Sequence, residues 1–233
     1  QYTLPESVSE DELLKLINGL NLNKDVDGIL VQLPLPKKIN SEIILNAIDP
    51  SKDIDGFHIV NAANIYLNRE GVIPCTPLGC LIMLRSISQS LKGMHAVIIG
   101  RSNIVGKPMA QLLLNEDCTV TTVHSKSKNI EKIVKEADII IAAVGIPNLV
   151  NENWVKKESI IIDVGINRIN LENKTKLVGD VNFNAVQSFA SYITPVPGGV
   201  GPMTIACLLM NTVFQCSRKN KISLPSNLTN LFK

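Results

Sequence analysis

The sequence predicts an α/β fold built on a parallel sheet. Through the middle of the chain, short apolar and β-branched runs alternate with segments of helical length and periodicity. Such runs need cover on both faces, which crossover helices supply. A glycine-bearing segment, Gly100 to Pro108, stands where the first of those runs becomes a helix. That is the position at which parallel sheets bind phosphates.

The elements follow in order. Ser7 or Ser9 can cap a first helix, with Glu10 or Glu12 closing a capping box and Leu13, Leu14, Ile17 and Leu20 at helical spacing. Val26 to Leu33 reads as a buried strand ended by Pro34 and Pro36, because proline cannot donate to a ladder. Ser41 to Ile48 reads as a second helix and Asp49 to Gly56 as a polar loop. Next come a strand at Ala96–Ile99, a helix at Pro108–Leu114, a strand at Val120–Val123 and a helix near Ile130–Glu136. Ile139–Val144, Ile160–Val164 and Tyr192–Val196 are further strand candidates.

The 233 residues, 45% of them hydrophobic, suffice for one large domain or two small ones. The net charge is +2 and the basic residues form no stripe outside Arg218-Lys219-Asn220-Lys221, which reads as a solvated helix end. A nucleic-acid partner is therefore not expected. No apolar run reaches the roughly 18 residues of a membrane span, and no charged-then-apolar leader opens the chain. The first residue is Gln1, so the sequence is expected to begin inside a longer protein. The five cysteines are odd in number and none has C-x-x-C spacing, which argues for reduced thiols in a cytoplasmic or organellar-matrix protein. The sequon matches at Asn173 and Asn227 are ascribed to chance. His58, His95 and His124 are not spaced as a metal cluster, so no metal is expected; His95 reads as structural, and His124 as a candidate near a cofactor ribose.

Gly100-Arg101-Ser102-Asn103-Ile104-Val105-Gly106 matches the G-x-G-x-x-G phosphate turn imperfectly. Ser102 and Val105 replace glycines, and Gly106 comes one residue late. A tight structural turn would show the same residues. The next strand ends in His124-Ser125-Lys126-Ser127-Lys128, with no acid to bond a ribose diol. A hydroxyl, cations and the Arg101 guanidinium suit a 2′-phosphate, which favours NADP over NAD. The bland alternative is a solvated basic loop.

Several segments occur in order across most of the chain: Val31-Gln32-Leu33-Pro34-Leu35-Pro36, Lys52-Asp53-Ile54-Asp55-Gly56, Pro74-Cys75-Thr76-Pro77, the Gly100 turn, Asp163-Val164-Gly165-Ile166-Asn167, and Thr194-Pro195-Val196-Pro197-Gly198-Gly199-Val200-Gly201-Pro202-Met203-Thr204. In these the chain resembles the methylenetetrahydrofolate dehydrogenase/cyclohydrolase family. The resemblance implies a Rossmann-like, NADP-binding domain over 78–204. It also implies a smaller, N-terminally incomplete α/β substrate domain from 1–77 and 205–233, with a returning C-terminal helix. It implies a tetrahydrofolate substrate bound in a cleft, a homodimer, and two reactions: NADP-dependent oxidation of the methylene bridge, then hydrolysis to the 10-formyl compound.

Carried over residue by residue, the resemblance gives Gln32 as partner of a catalytic lysine and Asp55 as the carboxylate that binds the pterin. Asp53 would shape the loop beside it. Gly100, Arg101 and Ser102 would form the pyrophosphate turn, Arg101 and Ser125 the 2′-phosphate contacts, and Ile166 and Thr204 the nicotinamide side. Pro197, Gly198 and Gly199 would form part of the substrate-cleft wall. The family's catalytic tyrosine and lysine, spaced Y-x-x-x-K, fall before the segment matching Gln1. Tyr2, Tyr66 and Tyr192 are followed four residues on by Glu6, Glu70 and Val196. These 233 residues alone are accordingly expected to show little cyclohydrolase activity. Two other readings stay open at this point: an inactive folate- or nucleotide-binding homologue, and an unrelated NADP reductase on the same fold.

Overall fold

The structure is a computed structural model; residues 1–171 and 174–229 are described. Asn173 and the side chain of Asn227, the two sequon asparagines, lie outside the description, as do residues 230–233 of the expected C-terminal segment. The chain divides into two compact units, 1–74 with 208–233, and 75–207.

The first unit opens with α1 (Glu10–Leu22). The Ser9 side chain accepts from the Glu12 N–H while the Glu12 carboxylate accepts from the Ser9 N–H, which completes the capping box. Helices α2 (Ser41–Ala47) and α3 (Ile59–Tyr66) follow. Leu13 and Ile17 of α1 pack with Ile29, Ile39, Ile44 and Ile48 into this unit's core. The expected strand over Val26–Leu33 is not formed. Its single partner among the described residues is Asp53, opposite Ile29, and only Ile29 of the eight is buried. An extended run without a continuous neighbour makes no ladder. The expected polar loop at 49–56 is a loop, but a buried one: Lys52, Asp53 and Ile54 are each less than 9% exposed.

The second unit holds α4 (Cys75–Ile87), β1 (His95–Ile99), α5 (Gly106–Asn115), β2 (Thr119–Val123), α6 (Ile130–Val134), β3 (Ile139–Ala142), a 3₁₀ turn at Glu152–Trp154, and β4 (Ser159–Asp163). After these come β5 (Asn167–Leu171), β6 (Lys174–Val178), α7 (Phe183–Val186) and β7 (Ala190–Ile193). Five strands form a parallel sheet in the order β2-β1-β3-β4-β7, and β5 and β6 form a separate antiparallel pair. Val97, Ile99, Ile140, Ala142 and Ile161 pack on one face with Val134, Trp154 and Val186. The alternate residues Ala96, Ile98, Ile139, Ile141 and Ile160 are buried as well. Both faces are covered, as the continuous apolar runs require.

Two strand ends differ from expectation for identifiable reasons. β3 stops at Ala142 because the N–H groups of Val144 and Gly145 turn to the Asp180 carboxylate. β7 stops at Ile193 because Pro195 and Pro197 have no N–H for a ladder.

Helix α8 (Val200–Asn220) runs across the division between the units, and α9 (Ser226–Thr229) follows. By length and composition α8 is apolar enough to cross a membrane, which no single run of apolar residues indicated. Its Asn211, Gln215 and Ser217 are buried, and the Asn211 amide donates to the carbonyls of Ile54 and Ile73. Those bonds fit a core helix tied to its own unit. The basic tail is exposed at the helix end, yet Lys219 is engaged: it pairs with Asp27 at 2.7 Å and donates to the Lys24 carbonyl.

Candidate functional site

The Gly100 turn stands at the carboxyl end of the sheet. The Gly100 N–H donates to the Val123 carbonyl at 2.9 Å, which locks the end of β1 to β2. Gly100 has φ +121°, and a Cβ there would lie 2.3 Å from the Ala143 carbonyl oxygen. A Cβ on Gly106 would lie 2.4 Å from the Gly100 carbonyl oxygen. At both ends of the strand-to-helix turn the protein's own backbone packs too closely for a side chain, so glycine is required there. The Ser102 hydroxyl accepts from the N–H groups of Val105 and Gly106 at 3.1 and 3.2 Å. It therefore satisfies two donors at the start of α5 that a phosphate would otherwise take. Serine at this position braces the turn instead of repeating the glycine.

Arg101 and Ser125 take matching positions through strand register. β1 and β2 are parallel neighbours with Ile99 opposite Val123. Arg101 and Ser125 each lie two residues beyond that pair, and both are exposed. The turn after β2 is tight: the His124 N–H donates to the Ser127 hydroxyl, and the Lys126 N–H donates to His124 Nδ1 at 3.2 Å. With Nδ1 accepting, neutral His124 carries its proton on Nε2 and presents a donor. His95 is structural, its ring contacting the Thr121 hydroxyl at 3.0 Å.

Beyond β4, Ile166 is 63% exposed, and a Cβ on Gly201 would lie 3.9 Å from its Cδ1, so the start of α8 borders it. Thr204 lies one turn into α8; its hydroxyl meets that of Thr76 at 3.0 Å and donates to the Val200 carbonyl. Pro197 and Gly198 are exposed and Gly199 half-buried in the turn that leads into α8.

Sequence reasoning missed two buried carboxylates in this unit. Asp163 ends β4, and burial pushes its carboxyl up to about 6 despite three backbone N–H donors. Asp180 is fully buried. In the sequence Asp163 closes an expected strand and Asp180 looks like an ordinary turn acid beside glycine, and nothing marks either as buried. A cavity of about 640 Å³ lined by Lys92, Asp138, Lys156 and Glu158 lies at the starts of β1, β3 and β4, the end of the sheet opposite the turn. Dinucleotides bind outside the carboxyl ends, so this cavity is not the cofactor site.

In the first unit, Gln32 is exposed and its amide donates to the Leu33 carbonyl at 3.0 Å. Asp55 is half-buried in the 49–56 loop. Its neighbours anchor that loop. Asp53 accepts from the Gly56 and His58 N–H groups and the Asn61 amide at 2.8–3.0 Å. Lys52 donates to the carbonyls of Leu20, Asn21 and Asn23 at the end of α1.

Two family models match the chain, and the second runs past the structural division at 207 to the end of α8. Residues 1–55 match the family model for the tetrahydrofolate dehydrogenase/cyclohydrolase catalytic domain, and 74–220 match the model for its NAD(P)-binding domain. The bifunctional protein FolD 1/3 of Ruegeria pomeroyi is 56% identical over 98% of this chain and 77% of its own length. Among solved structures, the bifunctional methylenetetrahydrofolate dehydrogenase/cyclohydrolase of Campylobacter jejuni is 51% identical with a TM-score of 0.90, covering 94% of this chain and 77% of that one. The Trypanosoma brucei enzyme, solved with NADP and an inhibitor, is 39% identical with a TM-score of 0.90, covering 94% and 76%.

Proposed function

The chain belongs to the tetrahydrofolate dehydrogenase/cyclohydrolase family, and from that premise we infer that it is a bifunctional NADP-dependent enzyme of one-carbon metabolism. The reactions are oxidation of 5,10-methylenetetrahydrofolate to the 5,10-methenyl compound and its hydrolysis to 10-formyltetrahydrofolate, the second needing the family's lysine, which residues 1–233 do not supply. The observation that carries the cofactor is the pairing of a glycine-requiring strand-to-helix turn at Gly100 with Arg101 and Ser125 at matching heights. The inactive-homologue and unrelated-reductase readings are set aside, because relatives sharing more than half of its residues are bifunctional enzymes by name.

Each residue has a part in this reading. The backbone at Gly100 to Ser102 receives the diphosphate, and Arg101 with Ser125 holds the 2′-phosphate. NADP, when bound, would supply the acceptor for the hydride that leaves the methylene bridge carbon. Ile166 and Thr204 line the nicotinamide side, Ile166 offering an exposed apolar surface and Thr204 a hydroxyl. Asp55 accepts two N–H bonds from the amidine-like edge of the pterin and so orients the substrate. Asp53 and Lys52 hold its loop in place by the bonds described above. Gln32 partners the lysine that the family uses, and Pro197, Gly198 and Gly199 form part of the substrate wall.

A homodimer in the cytoplasm completes the proposal. β7 pairs only with β4 among the described strands, leaving an edge for a second copy. All five cysteines are free thiols, as a reducing compartment favours.

The test is turnover of 5,10-methylenetetrahydrofolate with NADP, followed as NADPH formation. Reduction of NADP strictly dependent on the folate is expected. Tight NADP binding with no folate-dependent reduction would remove the substrate assignment.

A further inference from the structure

We propose that Asp180, backed by Asp163, is the positioning residue of the nicotinamide side of the site. This rests on the NADP reading above. The strand order places β2 on one side of β1 and β3, β4 and β7 on the other. The switch point therefore lies between β1 and β3. A dinucleotide laid across the carboxyl ends has its adenosine half over β2 and its nicotinamide half over β3 and β4.

Asp180 lies on that second side and ties its pieces together. Its Oδ2 accepts from the N–H groups of Val144 and Gly145, just past β3, at 2.7 and 2.9 Å. Its Oδ1 accepts from the Asn167 side-chain amide at 2.9 Å. Asp163 holds Asp180 in turn: Oδ1 accepts from the Asp180 and Gly165 N–H groups, and Oδ2 from that of Val181, all at 2.9–3.0 Å. The packing leaves no slack. A Cβ on Gly165 would lie 2.2 Å from Asp180 Oδ1, and one on Gly179 would lie 1.7 Å from Asp163 Oδ2.

Ile166 stands between the two pinned residues, Gly165 and Asn167, with its own side chain 63% exposed. A large apolar side chain left in solvent on a backbone fixed at both sides is suited to meet a flat ring at one defined height. Two buried carboxylates side by side are costly, and an apolar pair could fill the same volume more cheaply. What an apolar pair could not do is accept N–H groups from three separate segments at once. The adenosine half, at Arg101 and Ser125, has no bond to either carboxylate among the described interactions.

The experiment compares two probes on the full chain: NADP, and adenosine 2′,5′-bisphosphate, which carries only the adenosine half. Asp180→Asn removes the charge, and its amide oxygen can keep the Val144 and Gly145 N–H groups only by turning its NH₂ group towards the Asn167 amide that the carboxylate accepted from. NADP affinity and dehydrogenase kcat should fall about tenfold or more, with bisphosphate affinity within about twofold of wild type. Asn167→Ala, which removes one contact and keeps both carboxylates, should give an intermediate loss in NADP alone, and it carries the test if Asp180→Asn does not fold. An unchanged ratio of the two affinities in Asn167→Ala, or parallel loss of both ligands, would overturn the proposal. Wild-type protein that binds neither probe would instead overturn the NADP reading.

Discussion

The backbone N–H of Asp180 donates to the side chain of Asp163 at 2.9 Å, so that one buried carboxylate fixes the residue bearing the other. The end of β4, where Asp163 already pairs with Ala142 of β3, is thereby coupled to the loop after β3 as well. The arrangement makes this corner of the sheet sensitive to protonation.

Burial raises the Asp163 carboxyl from its ordinary value of 3.8 to about 6, above its unfolded value. Between those values the folded state binds the proton more tightly. The contribution to stability is therefore full below about pH 4 and is lost as pH rises through about 6. The stability of wild type minus that of Asp163→Asn should decline across this window, by at most about 1.4 kcal/mol per pH unit, and level off above pH 7. Urea midpoints from pH 4.5 to 7.5 check it; a difference that does not vary with pH means that Asp163 titrates normally.

Arg101 and Ser125 are exposed, each two residues past the Ile99–Val123 pair, and are proposed to hold the 2′-phosphate. Arg101→Ala should raise the KM for NADP by about tenfold or more and leave that for NAD within about twofold, since a guanidinium paired with a phosphate contributes roughly 1.5–3 kcal/mol. Ser125→Ala should act in the same direction but more weakly. Equal losses for the two nucleotides would show that the 2′-phosphate is held elsewhere.

Part of the frame of the candidate site was legible from residue order because parallel strands carry their register into the loops that follow them. Ile99 and Val123 were visible as strand ends, and Arg101 and Ser125 each lie two residues past that pairing. The capping box at Ser9 and Glu12 is a local signal and needed nothing else. α4 was missed because Pro77 and Gly79 break the helical signal and Leu78, Cys80, Leu81 and Leu84 are all buried, leaving little polar face to read. The β5–β6 pair was missed because Arg168, Asn170 and Lys176 dilute its apolar alternation. Val26–Leu33 misled in the opposite sense, since composition reports strand propensity but not the presence of a neighbour. Asp163 was visible in a family-matching segment but its role, like that of Asp180, was not: burial of a carboxylate is a tertiary fact, set by which N–H groups the fold brings to it.

The Gly100 turn separates steric from conformational cost. Gly100→Ala must meet the Ala143 carbonyl oxygen at 2.3 Å and adopt φ +121°. Gly198→Ala must adopt φ +103° but has open space around its Cβ. The first should lose about 3–5 kcal/mol and with it dinucleotide binding, because β1 and β3 must part. The second should lose only about 1–2 kcal/mol. Thermal melts of the two variants decide it, and comparable losses would mean that the turn relaxes around a methyl group.

Lys52 offers a test of what holds Asp55. Its ammonium is buried and donates to the carbonyls of Leu20, Asn21 and Asn23 at 2.6–2.9 Å, the acceptors left over at the end of α1. α1 has no basic residue in its last turn, so this distant lysine supplies the positive charge that the helix dipole favours there. Lys52→Met keeps the stem and deletes the charge, leaving buried carbonyls unpaired. A loss of roughly 2–4 kcal/mol follows from the unsatisfied acceptors. The loss should be local before it is global: amide hydrogen exchange should speed up at 19–23 and 49–56 ahead of the strands of the parallel sheet. Because Asp53 still accepts from Gly56, His58 and Asn61, the loop should loosen rather than unfold. Folate affinity should therefore weaken several-fold without vanishing. Lys52→Met protein with native exchange rates in both segments would show that solvent satisfies these carbonyls and that Asp53 alone secures the loop.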